Sequence, residues 1–364
     1  MLEEGGAGPE IVRHDRRLVN LASNDYLGLA TDPRLAAAAA EGAARWGVGA
    51  TGSRLLSGNH PLHEALEEDI AASRGTEAAL VFTSGYAANV GTLSALAGRH
   101  DLIVADALSH ASLLDGARLS GARLVRYRHA DPEHLEAQLR QAPVSGHRFV
   151  VTEGVFSMEG DVTDLPAVAE VAARNEATLI VDDAHGGGVV GPEGRGAIAL
   201  YGMEEAVPVQ IGTLSKALGC QGGYVAGSSE LKDFLVGRAR SFIFSTGLSP
   251  VLAAAARAAL RIAREEGWRR TALAAHVRTI GAAARDAGLR VRGGERAPML
   301  LLMAGSTDDA TSLAEALESR GVLAPAIRPP TVPEGTSRLR MAPIATMTAA
   351  QLQRACDALA EVAR

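Results

Sequence analysis

The chain has 364 residues, 47% of them hydrophobic and 21% charged, with 40 glycines and only 4% aromatic residues. That composition excludes a disordered chain and gives a soft prior of two domains, with a core built from Leu, Val, Ile and Ala. A formal net charge of −6 offers no electrostatic footprint for nucleic acid. The acidic start MLEEGGAGPE lacks a signal-peptide layout, and no run of 18 apolar residues occurs, so a cytoplasmic protein without a membrane span is expected. Cys220 and Cys356 cannot form a disulfide framework, and neither sits in a metal-ligand spacing.

Read in chain order, residues 60–69 (HPLHEALEED) look like the start of an amphipathic helix, and His60 and His63 receive no chemistry. From 78 to 227, short apolar runs then alternate with helical patterns. AALVF (78–82) precedes TSGYAANVGTLSALA, and DLIVADAL (101–108) precedes HASLLDGARL. ARLVRY (122–127) precedes DPEHLEAQLR, where Asp131 suits an N-cap and Pro132 the first helical position. HRFVVTEGVF (147–156) precedes DLPAVAEVAARN, and ATLIVDDA (177–184) runs into HGGGVVGPEGRG. VPVQIGTL (207–214) and GGYVAG (222–227) complete the series. Continuous apolar strands between helices predict a largely parallel sheet covered on both faces, with ligands at the carboxyl ends of its strands. After about residue 250 a long alanine-rich helical stretch leads into short strands and two further helices, the pattern of a smaller α+β domain. The expected division is an N-terminal segment 1–37, a large domain 38–250 and a small domain 251–364.

Of 36 basic residues, 34 are arginine, leaving only Lys216 and Lys232. Arginine cannot lose its proton and attack a carbonyl, so the surviving lysines are informative. Lys232, between Glu230 and Asp233, reads as part of a solvated helix face. Lys216, in IGTLSKALGCQGG, has no neighbouring acid and suits either an imine or a buried ion pair. In VDDAHG, period-two alternation sends Asp182 and Asp183 to opposite faces, so one of them can face a given ligand. Asp-x-x-His could ligate a metal, but no third ligand stands at a suitable spacing. The other reading is an acid that keeps the ring nitrogen of pyridoxal phosphate protonated, consistent with an imine lysine 34 residues later. FTSGYAAN follows a strand and opens a helix, which suits a phosphate on free N–H groups or an ordinary cap by Thr83 or Ser84. His110 follows a strand and is either structural or able to stack on a cofactor ring.

Together these blocks resemble the α-oxoamine synthase family of pyridoxal-phosphate enzymes. The likeness runs from SNDYLGL (23–29) through GATGSRLLSGNHPLHEALE, FTSGYAAN, DALSHASLLDGARLS, TEGVFSMEGD, VDDAHGGGVVGPEGRG, GTLSKALGCQGG and FSTGLSP to RPPTVPEGTSRLR (328–340). It implies an α/β chain of transferase fold type I, aspartate-aminotransferase-like, with a mostly parallel central sheet and a smaller α+β C-terminal domain. It also implies a homodimer with sites at the subunit interface. The resemblance implies that Lys216 holds pyridoxal 5′-phosphate and then serves as acid–base. Asp182 would pair with the pyridine nitrogen, and His185 and Ser157 with the phenolic-oxygen side. His110 would stack on the ring. Phosphate would be held at Ser84, Gly85 and Tyr86, by Thr213, and by Thr246 of a second subunit. Asn24 and Arg340 would take the amino-acid carboxylate, the latter by a bidentate pair. No metal is implied.

VFSMEGD, VDDAHG and above all RPPTVPEGTSRLR are most similar to family members that condense L-alanine with a pimeloyl thioester such as pimeloyl-CoA in biotin biosynthesis. That reaction releases carbon dioxide and coenzyme A. The rivals are a sibling joining glycine to acetyl-CoA, an aminotransferase of the same fold, and a pyridoxal-dependent regulator, for which the chain has neither room nor positive charge. Two departures stand out. Relatives carry a longer segment before the position of Ser23, so the acyl entrance is expected to differ or the chain to start late. Gly187 replaces a hydroxyl residue common in relatives and should loosen its loop.

Overall fold

The computed structural model describes residues 7–363, which form two compact units. The first six residues of the expected N-terminal segment, and Arg364 at the end of the expected small domain, lie outside the described residues. One unit is Pro33–Val155 with Thr163–Arg264; the other joins the described parts of Met1–Asp32 and Glu265–Arg364 to the short excursion Phe156–Val162.

The larger unit is built on a seven-stranded sheet. Its order is Ala78–Phe82, Gly223–Gly227, Val209–Thr213, Ala177–Asp182, Arg148–Glu153, Leu102–Asp106, Arg123–Tyr127. Six strands are parallel and Gly223–Gly227 alone runs antiparallel. The connection 214–222 explains the exception, because a parallel return needs a crossover of about a dozen residues or more. Lys216 lies in that short connection. Val104, Val150, Ile180 and Ile211 are fully buried, as expected for a sheet covered on both faces. Helices start where sequence chemistry places them: Asp131 caps Pro132–Gln141 by accepting the His134 N–H at 2.8 Å, and Asp164 caps Leu165–Arg174. The histidines of residues 60–69 are structural. His63 is buried, with Nε2 2.6 Å from the Leu248 carbonyl and Nδ1 accepting the His60 N–H.

In the other unit, strand Arg16–Asn20 pairs in parallel with Val322–Leu323, which ties the N-terminal segment to C-terminal chain. A four-stranded antiparallel sheet of Val291–Gly293, Leu300–Gly305, Ser337–Met341 and Ala326–Ile327 completes it. The alanine-rich stretch, expected as one linking helix, is two: Pro250–Glu265 and Gly267–Asp286. Glu266 leaves the helical region (φ −100°, ψ 65°) and its carboxylate accepts from Arg269 Nε at 2.8 Å, while glycine at 267 has poor helix propensity. Lys232 also differs from expectation. It does not simply face solvent; its Nζ lies 2.9 Å from Oε2 of the buried Glu67, which also binds Arg54.

Asp183 is fully buried and Arg74 is 3% exposed, with Nη2 donating to Asp183 Oδ2 at 2.7 Å. The Ala197 N–H donates to both Asp183 oxygens, and Arg74 Nη1 to the Arg195 carbonyl. Gly196 (φ +98°) makes this possible, because a Cβ there would overlap Asp183 Oδ2. Removing one partner strands a buried charge, which typically costs about 3–5 kcal/mol. Arg74→Ala is therefore expected to lower the urea midpoint by an amount equivalent to about 3–5 kcal/mol, and a loss below about 1 kcal/mol would show that Asp183 finds another partner.

Candidate active site

At the carboxyl end of Ala177–Asp182 the two aspartates part as alternation requires, Asp183 to Arg74 and Asp182 to the opposite face. Asp182 Oδ2 accepts from Asn89 Nδ2 at 2.7 Å, and its Oδ1 accepts the Ala184 N–H at 2.9 Å. Asn89 Nδ2 also reaches Ser112 Oγ at 2.8 Å, and Ser112 Oγ lies 2.7 Å from His110 Nδ1. One hydrogen-bonded line thus joins Asp182 to His110 through two side chains. His110 caps helix Ala111–Ser120 and keeps an exposed face. Loss of hydration pushes its imidazole below the usual histidine pKa and the Lys216 cation adds to this, while the Asp182 charge acts the other way.

Lys216 Nζ lies 2.8 Å from His185 Nε2, and His185 is buried at 7% exposure. His185 stands three positions after Asp182, so the turn after one strand and the loop after its neighbour place acid, imidazole and amine in one region of the larger unit. At the start of helix Gly85–Leu96, Ser84 caps by accepting the Ala87 N–H at 3.0 Å, the ordinary cap that the sequence allowed. Gly223 runs directly beneath that turn, where a Cβ would collide with the Ser84 carbonyl and the Gly85 nitrogen. Gly85 faces Thr213, whose hydroxyl donates to the Gly222 carbonyl at 2.9 Å. The Tyr86 hydroxyl, half-exposed, donates to Asp115 at 3.0 Å, leaving its backbone as the group available near the helix start. Gly187 has room for a Cβ at ordinary contact distance from Arg74, Asp183 and Tyr224.

Thr246 is exposed, beside Phe244 at 71% exposure. The loop around it is tied to 48–52 by the Gly247 N–H to the Gly52 carbonyl and by Ser249 Oγ to the Val48 carbonyl.

The remaining candidates belong to the other unit. Arg340 is buried, and its Nη2 donates to Asn24 Oδ1 and to the Tyr26 hydroxyl, each at 2.8 Å. Its Nε donates to the Ser157 carbonyl at 3.1 Å. Those three bonds use the N–H groups of Nε and Nη2, so the donors left for a carboxylate are the two on Nη1. Arg338, on the same strand face, holds the Met158 carbonyl and Glu159 at 2.6 and 2.7 Å.

Sequence reasoning missed Asn89, Ser112, Tyr26 and Glu153. All four stand inside quoted blocks, and a polar Asn89 one turn into a small, apolar helix was the available signal for the first of them. For the last, the signal was a lone acid closing an apolar strand.

The donor set fits pyridoxal 5′-phosphate. A lysine amine, a carboxylate held by Asn89, an imidazole with an open face and a glycine-permitted helix start supply the four kinds of contact it needs. Among the described residues no helix is long and apolar enough to cross a membrane, and no group of three or more His, Cys, Asp or Glu could hold a metal ion.

Comparison with known proteins gives a consistent picture. Residues 16–359 match the family model described as aminotransferase class I and II. A curated 8-amino-7-oxononanoate synthase of Lysinibacillus sphaericus is 43% identical over 359 residues, covering 99% of this chain and 92% of that protein. A serine palmitoyltransferase of S. paucimobilis, solved with a pyridoxal phosphate–myriocin adduct, superposes with a TM-score of 0.95 at 32% identity, covering 100% of this chain and 91% of that one. The 8-amino-7-oxononanoate synthase structure from Francisella tularensis gives 0.81 at 28% identity, covering 95% and 97%.

Proposed function

The chain belongs to the aminotransferase class I and II family, and from that premise we propose that it condenses L-alanine with a pimeloyl thioester such as pimeloyl-CoA. The products are 8-amino-7-oxononanoate, carbon dioxide and coenzyme A, a step of biotin biosynthesis. The observation that carries this reading is the 2.8 Å approach of Lys216 Nζ to His185, three residues after the Asn89-held Asp182, in a chain whose full-length relatives bear that enzyme's name.

Pyridoxal 5′-phosphate is the cofactor; it supplies an aldehyde and a ring that accepts electrons from the reacting carbon. Lys216 would hold it covalently, and as a free amine the same Nζ would take the α-proton of alanine and return a proton to the product carbon. Asp182 supplies the negative charge that keeps the ring nitrogen protonated, oriented by Asn89. His110 would stack on the ring face; burial lowers its imidazole pKa, which favours the neutral form and avoids a positive charge beside a protonated ring. His185 and Ser157 serve the phenolic-oxygen side. Ser84, Gly85 and Tyr86 at the helix start, with Thr213, hold phosphate. Asn24 and Arg340 Nη1 receive the carboxylate of alanine.

Homodimerisation belongs to the same reading, with Thr246 completing the partner's phosphate site. An apolar patch beside it supports this: Val48, Leu56 and Phe244 are 77%, 83% and 71% exposed on segments tied to each other. Sedimentation should show a dimer, and a monomer with full activity would remove the role of Thr246. Cytoplasmic location follows from a substrate that is an acyl thioester of coenzyme A. The deciding assay is carbon dioxide release from L-alanine with a panel of acyl thioesters. Release should be fastest with pimeloyl-CoA and slower with glycine as amino acid; preference for glycine and acetyl-CoA would overturn the proposal.

A further inference from the structure

Glu153 has no part in the chemistry described so far, yet it ends a strand beside the strand that ends in Asp182. The two are register partners in the parallel ladder, so their side chains leave the sheet on one face. Glu153 is 7% exposed, and its Oε1 accepts the backbone N–H of His110 at 2.6 Å. Its own carbonyl is held by Thr163 Oγ1 at 2.6 Å, which fixes the strand end. The charged groups facing it are Asp182 and Asp106 from the two flanking strands and Lys216 from the loop after Val209–Thr213; His110 lies on the turn it anchors.

Two carboxylates on neighbouring strands of a buried sheet edge do not both ionise readily. Asp182 has the bonds that favour its anion, from Asn89 and from the Ala184 N–H. Glu153, as deeply buried, has only the His110 N–H. We propose that Glu153 is a positioning residue retained as a neutral carboxylic acid: Oε1 anchors the backbone of His110, and the proton it keeps leaves Asp182 as the anion of the pair. The inference rests on the functional reading above for its consequence, and on the geometry of the larger unit alone for its substance. Burial first, then the Asp182 charge, pushes the Glu153 carboxyl up to about 8. The folded protein therefore binds this proton more tightly than the unfolded chain does. Its contribution to stability is complete below about pH 4.5 and is lost as pH rises through about 8.

The test compares wild type, Glu153→Gln and Glu153→Ala. In cofactor-free protein at pH 7, infrared difference spectra should show a protonated-carboxyl band that disappears in E153Q and titrates away near pH 8. Pyridoxal 5′-phosphate affinity, read from imine absorbance, should fall by about tenfold or more between pH 7 and 9 in wild type and much less in E153Q, which stays neutral. E153A, lacking an acceptor for the His110 N–H, should bind about tenfold more weakly at every pH, with E153Q restoring most of the loss. A purely structural role would leave the pH profile of E153Q like that of wild type, and that result, or a missing carboxyl band, overturns the inference. If E153A does not fold, the E153Q profile still decides. Absence of imine absorbance in wild type would overturn the functional reading instead, and the infrared measurement would still report the state of Glu153.

Discussion

Lys216→Ala is expected to abolish both the visible imine absorbance and turnover. Two losses combine. The covalent anchor disappears, because the other lysine, Lys232, is engaged with Glu67 on a different part of the unit. The proton carrier also disappears, and general acid–base catalysis by a positioned group contributes on the order of 10²–10⁴ in rate. Turnover should drop by at least about 10³-fold, with the cofactor still bound non-covalently through the helix start and Asp182. Removing the amine leaves His185 Nε2 without its 2.8 Å neighbour, but His185 is held in the buried turn after Asp182, so little change in fold is expected. Normal imine colour in this variant would remove the mechanism. Added methylamine restoring part of the rate would separate the chemical role of the amine from any structural one.

Asp182→Asn is the second large effect. The substitution preserves shape and removes the charge, so rate should fall on the order of 10²–10³-fold, as for the loss of one oriented electrostatic contact. The neighbouring amide can adapt. Asn89 presents its NH₂ to Asp182 and leaves Oδ1 buried without a partner. An amide nitrogen at position 182 would favour a flip of Asn89, which satisfies that oxygen and reverses the Ser112 hydrogen bond toward His110. Cofactor should therefore still bind and the protein still fold. The same variant should lower the pKa of Glu153, since the Asp182 charge helps hold it up. Near-native turnover would show that the wrong acid has been assigned, and an unchanged Glu153 titration would show that the two carboxyls do not communicate.

The larger unit was readable because its strands are nearly continuous apolar runs and its helices begin with Asp and Ser caps, both local signals. Lys216 stood out because arginine had replaced lysine almost everywhere else. Alternation showed that only one of Asp182 and Asp183 can face a given ligand; the choice of Asp182 came from the family resemblance, and which of the two meets an arginine was not legible. The antiparallel strand Gly223–Gly227 was missed as such, since apolar composition carries no direction and only the shortness of 214–222 bore on it.

By itself the sequence determined the order of strands and helices, the lysine that can form an imine and the pair of acids from which one must be chosen. Periodicity, capping and residue chemistry are all expressed within a few residues. The tertiary structure decided which groups meet: Arg74 with Asp183 across 109 residues, Asn89 with Asp182 across 93, Lys232 with Glu67 across 165, and the His110 backbone with Glu153 across 43. It also decided that residues 16–20 pair beside 322–323 and that the alanine-rich helix breaks at Glu266. Such pairings depend on chain closure and on burial in three dimensions, which together set both the partner of a charge and its state of ionisation.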